Sequence, residues 1–486
     1  MPVENRIVKV LKRNRSLVRF DAERIRNAIL RAGRAIGGFH QDLVPGINDR
    51  AFPHGADDEA IADSLADAVL LCLNSDPNHL IANFPPTIEE IQDQVLHVLR
   101  SHGLQRTADS YACYRWSRHW LREGDVTPDQ FVGNGLDTTR QRLSLAWNQE
   151  QGCHTQDSLN DIVRGGKLGA LIEAAIARYD EELNEAARAV ALRLNQGDRI
   201  RLVWVTGPSC SGKTTTTIKL IRQLERDGLR FQMLSLDDYF WPVGEHPTDW
   251  INDRNYEAPE ALDIQLINQH LRTLLDGGVI EKPLYSFKEG RHVGSKTVRL
   301  DGDEVLLLDC LHGLYPPLAE VIDRRSEFRI FVDASNALYE GDGSSKRLVL
   351  NNDVRMLRRM LRDSRHRNAS PVFTLLHWHY VRAGELFSIL PLEGRADAIV
   401  NGGFPFDLPV MHPLFSDHGS ALPTEEDLRD YPGFMDAQIR LQRLRRLLEC
   451  TDGIPPAAVE DRGLIPGDAV IREFIGGSIM KIPHNE

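Results

Sequence analysis

An apolar strand that runs straight into a glycine-rich turn and then a helix constrains this chain more than any other feature. Residues 202–214 read LVWVTGPSCSGKT, and TTTIKLIRQL continues as a helix. Gly207–Thr214 satisfies GxxxxGK[ST]. At that spacing the glycines let backbone N–H groups wrap a phosphate, and the helix N-terminus favours its negative charge. Lys213 reaches the outer phosphates and Thr214 can hold Mg²⁺. Gly207, Pro208, Ser209, Cys210, Ser211, Gly212, Lys213, Thr214 and Thr215 are therefore the candidate nucleotide-binding stretch. A buried strand feeding such a turn predicts an α/β fold, doubly wound around a mostly parallel sheet, with the ligand outside the carboxyl ends of the strands.

Two further apolar runs end in acids. EVLLLDCLHG places Asp309 at the carboxyl end of a second buried strand, where it can join Thr214 at the metal. LSLDDYFW places Asp237 and Asp238 after a third, and one of them is the candidate base for a hydroxyl proton, the other a helix cap. Downstream, NNDVRMLRRMLRDSRHRN gathers Arg355, Arg358, Arg359, Arg362, Arg365 and Arg367. The chain carries a formal charge of −12, which repels nucleic acids and anionic membranes on average. The arginines are accordingly read as a lid that neutralises transferring phosphate, in preference to an RNA stripe.

The remainder is less specific. Residues 7–11 and the LVRF run suggest a small hairpin, followed by a helix that begins after Asp21. Another helix runs through DDEAIADSLADAVLLCL, and a third starts at Pro86 and Thr87 with Glu89 and Glu90 in its first turn. From 123 to 196 the pattern is helical and amphipathic, which predicts a connector. The six cysteines form no CxxC pair, so free thiols in a reducing compartment are expected. His377 and His379 in HWH, read as a strand, lack a third metal ligand. No run is apolar enough to span a membrane, and a cytoplasmic location follows as an expectation.

The first 122 residues, through VLKRNRSLVRFDAERIRNAI and IEEIQDQVLHVLRSHGLQRTADSYACYRWSR, resemble an ATP-cone, a mainly helical regulatory nucleotide-binding module. The resemblance implies that Lys12 and Arg13 contact phosphates of ATP or dATP while Asp21, Arg24 and Ile25 border base and ribose. GPSCSGKTTTT, SLDDYF, NYEAPEALD, PLYSFKEGR, LLLDCLHGLYP, the arginine stretch and IREFIGGS resemble the uridine kinase and phosphoribulokinase family of P-loop kinases. That resemblance implies a kinase domain over 197–410 with a C-terminal extension over 411–486, using Mg²⁺ and ATP on a small-molecule acceptor, in a homo-oligomer. Asp237, Lys213 and Arg362 become catalytic, and Arg358, Arg365 and Arg367 join the ATP site beside Asp363. Tyr239, Glu257, Tyr285 and Phe287 line the acceptor. The family's base-reading His after YxF is absent, and Gly290 and Arg291 stand there, so Arg291 is a candidate for a phosphate or carboxylate on the acceptor. A pyrimidine nucleoside is the first expectation. A sugar phosphate or hydroxy acid is the alternative, and a nucleotide-sensing regulator that binds nucleic acid through the arginine cluster, without turnover, is the alternative from another class.

Overall fold

The structure, a computed structural model, describes residues 3–483 except 12–16, 44–47, 49–50, 53–54, 77–78, 80–84, 109, 113–114, 116–137, 196–199, 247–253, 303, 319–321, 346, 417–421 and 429–434. The chain divides near residue 121 into two compact units. In the first, β1 (Lys9–Leu11) and β2 (Leu17–Arg19) pair antiparallel with Val10 opposite Val18. Helices α1 (Glu23–Ala35), α2 (Asp58–Ser75) and α3 (Ile88–Ser101) follow. Asp57 caps α2 by accepting from the Ala60 N–H at 2.9 Å, and Thr87 with Glu90 closes a capping box on α3. Ile25 and Ile29, Ile61 and Leu65, and Val95 and Leu99 face one core, as their i, i+4 spacing directs.

The second unit is built on five parallel strands: β3 (Leu202–Thr206), β4 (Phe231–Ser235), β7 (Val305–Cys310), β8 (Glu327–Asp333) and β9 (Ala398–Asn401), in the order β4-β7-β3-β8-β9. The hairpin β5 (Val279–Ser286) and β6 (Arg291–Arg299) stands apart from that sheet. Leu202 and Trp204 join Leu306 and Leu308 in one core, while Val203 and Val205 join Leu307, Ile330 and Val332 in the other. Successive side chains on a strand point to opposite faces, so covering both faces produces these near-continuous apolar runs.

Helices α4 (Thr138–Glu150), α5 (Gln156–Arg164) and α6 (Leu168–Asn195) occupy the stretch expected as a connector. They are part of this unit: Ile172, Leu183 and Val190 share the core of Val203 and Val205, and the Tyr179 hydroxyl lies 2.8 Å from Thr216 Oγ1. The stretch expected as an extension after 410 is equally built in, with Leu441, Ile465 and Phe474 in the same core. Amphipathicity showed that these helices pack, but not against what.

The helices that position the site are α7 (Lys213–Arg226), α8 (Ile264–Leu275), α9 (Asn351–His366), α10 (Pro371–Gly384) and α11 (Asp407–Ser416). Ser370 caps α10 and Pro371 starts it, so His377 and His379 lie on a helix instead of the expected strand. His377 stacks on Phe373, with ring centroids 4.0 Å apart. Among the described residues no helix is long and apolar enough to cross a membrane.

Candidate active site

β3 hands the chain to the phosphate loop through Gly207, whose φ of 146° and close approach to Val332 exclude any side chain: a Cβ would run into the Val332 carbonyl. Cys210 holds φ at 59° and is buried, filling space within the loop. The loop's carbonyls are tied to cations. Pro208 O accepts from Lys213 Nζ at 3.0 Å, Ser209 O from Arg355 at 2.8 Å and Cys210 O from Arg358 at 3.1 Å. The Ser211 hydroxyl is fully buried and has no hydrogen-bond partner among the described residues. An orphaned donor inside a loop of this shape fits a phosphate oxygen.

Register sets the acids. Asp309 pairs level with Val205 on one side and Ser235 on the other, so it sits between the loop and the segment carrying Asp237. Thr214 Oγ1 donates to Asp309 Oδ2 at 2.8 Å. Burial pushes the Asp309 carboxyl up to about 7, against the pull of Lys213 and with added repulsion from Asp237. A hydroxyl and a carboxylate converging beside a phosphate loop are hard oxygen donors of the kind Mg²⁺ takes.

The adjacent aspartates have separated roles. Asp238 is buried, ion-paired with Lys282, and accepts from the Tyr285 N–H at 3.0 Å, so it fixes β5. Asp237 is one-third exposed and faces Arg367 at 3.9 Å.

The arginines of α9 divide likewise. Arg362 pairs with Asp363 at 2.7 Å, Arg359 pairs with Asp363 at 3.0 Å and with Glu257, and Arg367 stacks over Phe287 at 4.0 Å with its Nε 3.8 Å from Asp363. Burial would raise the Asp363 carboxyl, but Arg362, Arg359 and Arg367 together hold it far below the usual carboxylate range. Arg358, expected on the lid, is not available there. It is fully buried, donates to Cys210 O and Gly402 O, and pairs with Asp407 at 2.6 Å. Arg365 donates to Phe474 O at 2.9 Å. Both act as struts, because helix periodicity places them on a face covered by the loop and the C-terminal segment.

Tyr256, Glu257, Arg359, Phe373, Thr374 and His377 line a narrow cleft with room for about one water molecule. Glu257, Tyr285 and Phe287 lie around it or on the neighbouring aromatic belt. Tyr239 departs from expectation: it is buried and turns its hydroxyl to His270 Nδ1 at 2.9 Å, inside the core under α8. Arg291 is exposed on the hairpin, paired with Glu289 at 2.5 Å. In the N-terminal unit Lys12 and Arg13 lie outside the described residues. Asp21 and Arg24 are exposed and paired at 3.3 Å, and Ile25 is buried in the core of the unit.

Sequence reasoning missed His312, Asp407 and Glu473. His312 is buried, shares a hydrogen bond with Glu257 O at 3.0 Å, and burial drives its ring down to about 4, which keeps it neutral. Glu473 accepts from the Thr215 N–H at 3.2 Å and Oγ1 at 2.7 Å. The IREFIGGS stretch that carries Glu473 was visible, but nothing in a single sequence says which distant loop it reaches.

Residues 8–119 match the ATP cone domain, and residues 202–339 match the Phosphoribulokinase / Uridine kinase family. A uridine kinase of Deinococcus deserti is 30% identical over 203 residues, which is 42% of this chain and 87% of that protein. The chain belongs to the phosphoribulokinase/uridine kinase family. Uridine-cytidine kinase B of Dictyostelium discoideum is 28% identical over 216 residues, 43% of this chain and 80% of its own length. Among solved structures, that of a possible uridine kinase from Bacillus stearothermophilus aligns at 15% identity with a TM-score of 0.32, covering 46% of this chain and 98% of that one. This kinase thus joins an N-terminal ATP-cone domain to a phosphoribulokinase/uridine kinase domain. The family match ends before α9, so the arrangement of its arginines rests on geometry.

Proposed function

We propose that this kinase transfers the terminal phosphoryl group of ATP to a hydroxyl of a pyrimidine nucleoside, uridine or cytidine. The observation that carries the reading is the split between the two aspartates: Asp238 is locked to Lys282, while Asp237 stays accessible near Asp309, Lys213 and Arg367. Lys213 releases Pro208 O to meet the outer phosphates, and the loop's N–H groups with Ser211 hold the phosphate chain. Thr214 and Asp309 would hold Mg²⁺, which supplies charge neutralisation across the phosphates when bound. Asp237 accepts the acceptor's hydroxyl proton as the phosphoryl group moves, and Arg362 and Arg367 meet the charge spread over its equatorial oxygens. Glu257, fixed by Arg359, accepts hydrogen bonds from ribose hydroxyls, and the Phe373–His377 stack offers a planar ring a face. The ATP-cone takes a second ATP or dATP that sets activity.

The test is product identification with Mg·ATP across uridine, cytidine, sugar phosphates and hydroxy acids, beside Lys213→Ala. The reading expects nucleoside monophosphate from uridine or cytidine and none from the variant. Turnover confined to phosphorylated or acidic acceptors would replace the nucleoside and give Arg291 the recognition role.

A further inference from the structure

A buried carboxylate already occupies donors that a phosphate needs. Glu473, on the short helix Arg472–Ile475, is carried across 258 residues of sequence to the first turn of α7. There it takes both the N–H and the hydroxyl of Thr215, the residue directly after the Lys213–Thr214 pair. These donors point out of the N-terminus of a 14-residue helix, where anions are favoured. The carboxylate lies close enough to Asp309 to disfavour its ionisation, and close enough to Arg362 to favour its charge. It is therefore inside the phosphate-binding region and not on its rim.

The rest of the segment cannot drift away. Arg472 donates to Ile465 O at 2.7 Å and to Val459 O at 2.8 Å, Phe474 is fully buried, and a Cβ on Gly212 would strike Val470. The backbone is fixed against the loop.

We propose that Glu473 competes with a nucleotide phosphate for Thr215 and thereby sets the affinity of the site for ATP. This rests on the reading of Gly207–Thr215 as the nucleotide site. A second anion on the same donors faces like charge at short range, so ATP binds the fraction of molecules in which the carboxylate has turned away, and the apparent affinity is lowered by that fraction. The C-terminal segment is then a working part of the nucleotide site, with the carboxylate selecting for ligands whose other phosphates bind strongly enough to displace it.

The test measures binding of a non-hydrolysable ATP analogue with Mg²⁺ to the full chain by calorimetry, with no acceptor present. Glu473→Gln keeps the shape and one acceptor oxygen but removes the charge, and Glu473→Ala removes the competitor. The proposal expects dissociation constants that fall in both, by about tenfold in the Ala variant and less in the Gln variant. If Ala lowers the melting temperature, the Gln variant decides alone. Weaker binding in Gln would overturn the proposal and make Glu473 a residue that positions Thr215 for the nucleotide, and unchanged binding would reduce it to a helix cap. Wild-type affinity that survives Lys213→Ala would remove the loop as the nucleotide site and the proposal with it, a failure distinguishable from the first two.

Discussion

Substituting Arg358 by Met separates a strut from a lid. The guanidinium has zero exposure, bridges Cys210 O, Gly402 O and Asp407, and lies 4.9 Å from the centre of the Phe474 ring. Met restores much of the volume but leaves Asp407 buried with its charge facing only polar neighbours such as the Phe404 N–H at 3.2 Å. Removing one partner of a buried ion pair costs about 3–5 kcal/mol, because the surviving charge stays desolvated. At about 2 °C per kcal/mol for a large unit, the melting temperature falls by about 6–10 °C. The loop loses the donor on Cys210 O, so ATP binding weakens by about tenfold as well. Replacing both partners, Arg358→Met with Asp407→Leu, removes the orphaned charge and recovers most of the melting temperature. Scanning calorimetry of the wild type, the two single variants and the double variant reads all of this. A single variant that melts within a degree of wild type while losing turnover would refute the reasoning and return Arg358 to the lid.

Other outcomes follow from the same geometry. Burial pushes the Asp309 carboxyl up to about 7 and a proton there excludes a cation, so the Mg²⁺ concentration giving half-maximal turnover is expected to stay flat at higher pH and to rise by about tenfold per unit as the carboxyl protonates; a flat profile down to pH 5 would count against Asp309 as a ligand. Asp238→Asn strands Lys282 in a buried place and lowers stability by about 3 kcal/mol in denaturant titration, with ATP affinity kept. Glu257→Ala leaves Arg359 with Asp363 alone and removes the acceptor proposed for ribose hydroxyls, raising the KM for the nucleoside by about tenfold or more and the KM for ATP by less, as steady-state kinetics would show.

The legible parts of this kinase were those with local causes. The phosphate loop, the apolar runs before Asp237 and Asp309, the helix start near Thr87 and the arginine helix all follow from short-range spacing, because loop sterics, strand alternation and helix-start preferences act within a few residues. What was illegible needed tertiary contact. Arg358 and Arg362 carry the same pattern on α9, and only tertiary contact shows that Arg358 is taken up by Asp407 and the loop carbonyls while Arg362 pairs with its neighbour Asp363. Tyr239 follows the acids of SLDDYF directly, but α8 supplies His270 and draws its hydroxyl into the core. Ile25 repeats at helical spacing with Ile29, and the two are buried in one core. The helix Leu168–Asn195 shows an apolar face whose partner, the sheet around β3, comes later in the chain. Glu473 acts on a loop that no local rule connects to it.

The central claim is that Asp237 takes the proton from an acceptor hydroxyl while the loop presents the terminal phosphate of ATP. A single turnover with ATP labelled in that phosphate, run with uridine or cytidine on wild type and on Asp237→Asn, tests it most directly. The account predicts label on nucleoside monophosphate in the wild type, and in the variant a rate lower by about 10²–10⁴-fold with ATP binding retained. Label that transfers to the nucleoside as fast in Asp237→Asn as in wild type, or that goes only to inorganic phosphate whether or not an acceptor is present, would contradict it.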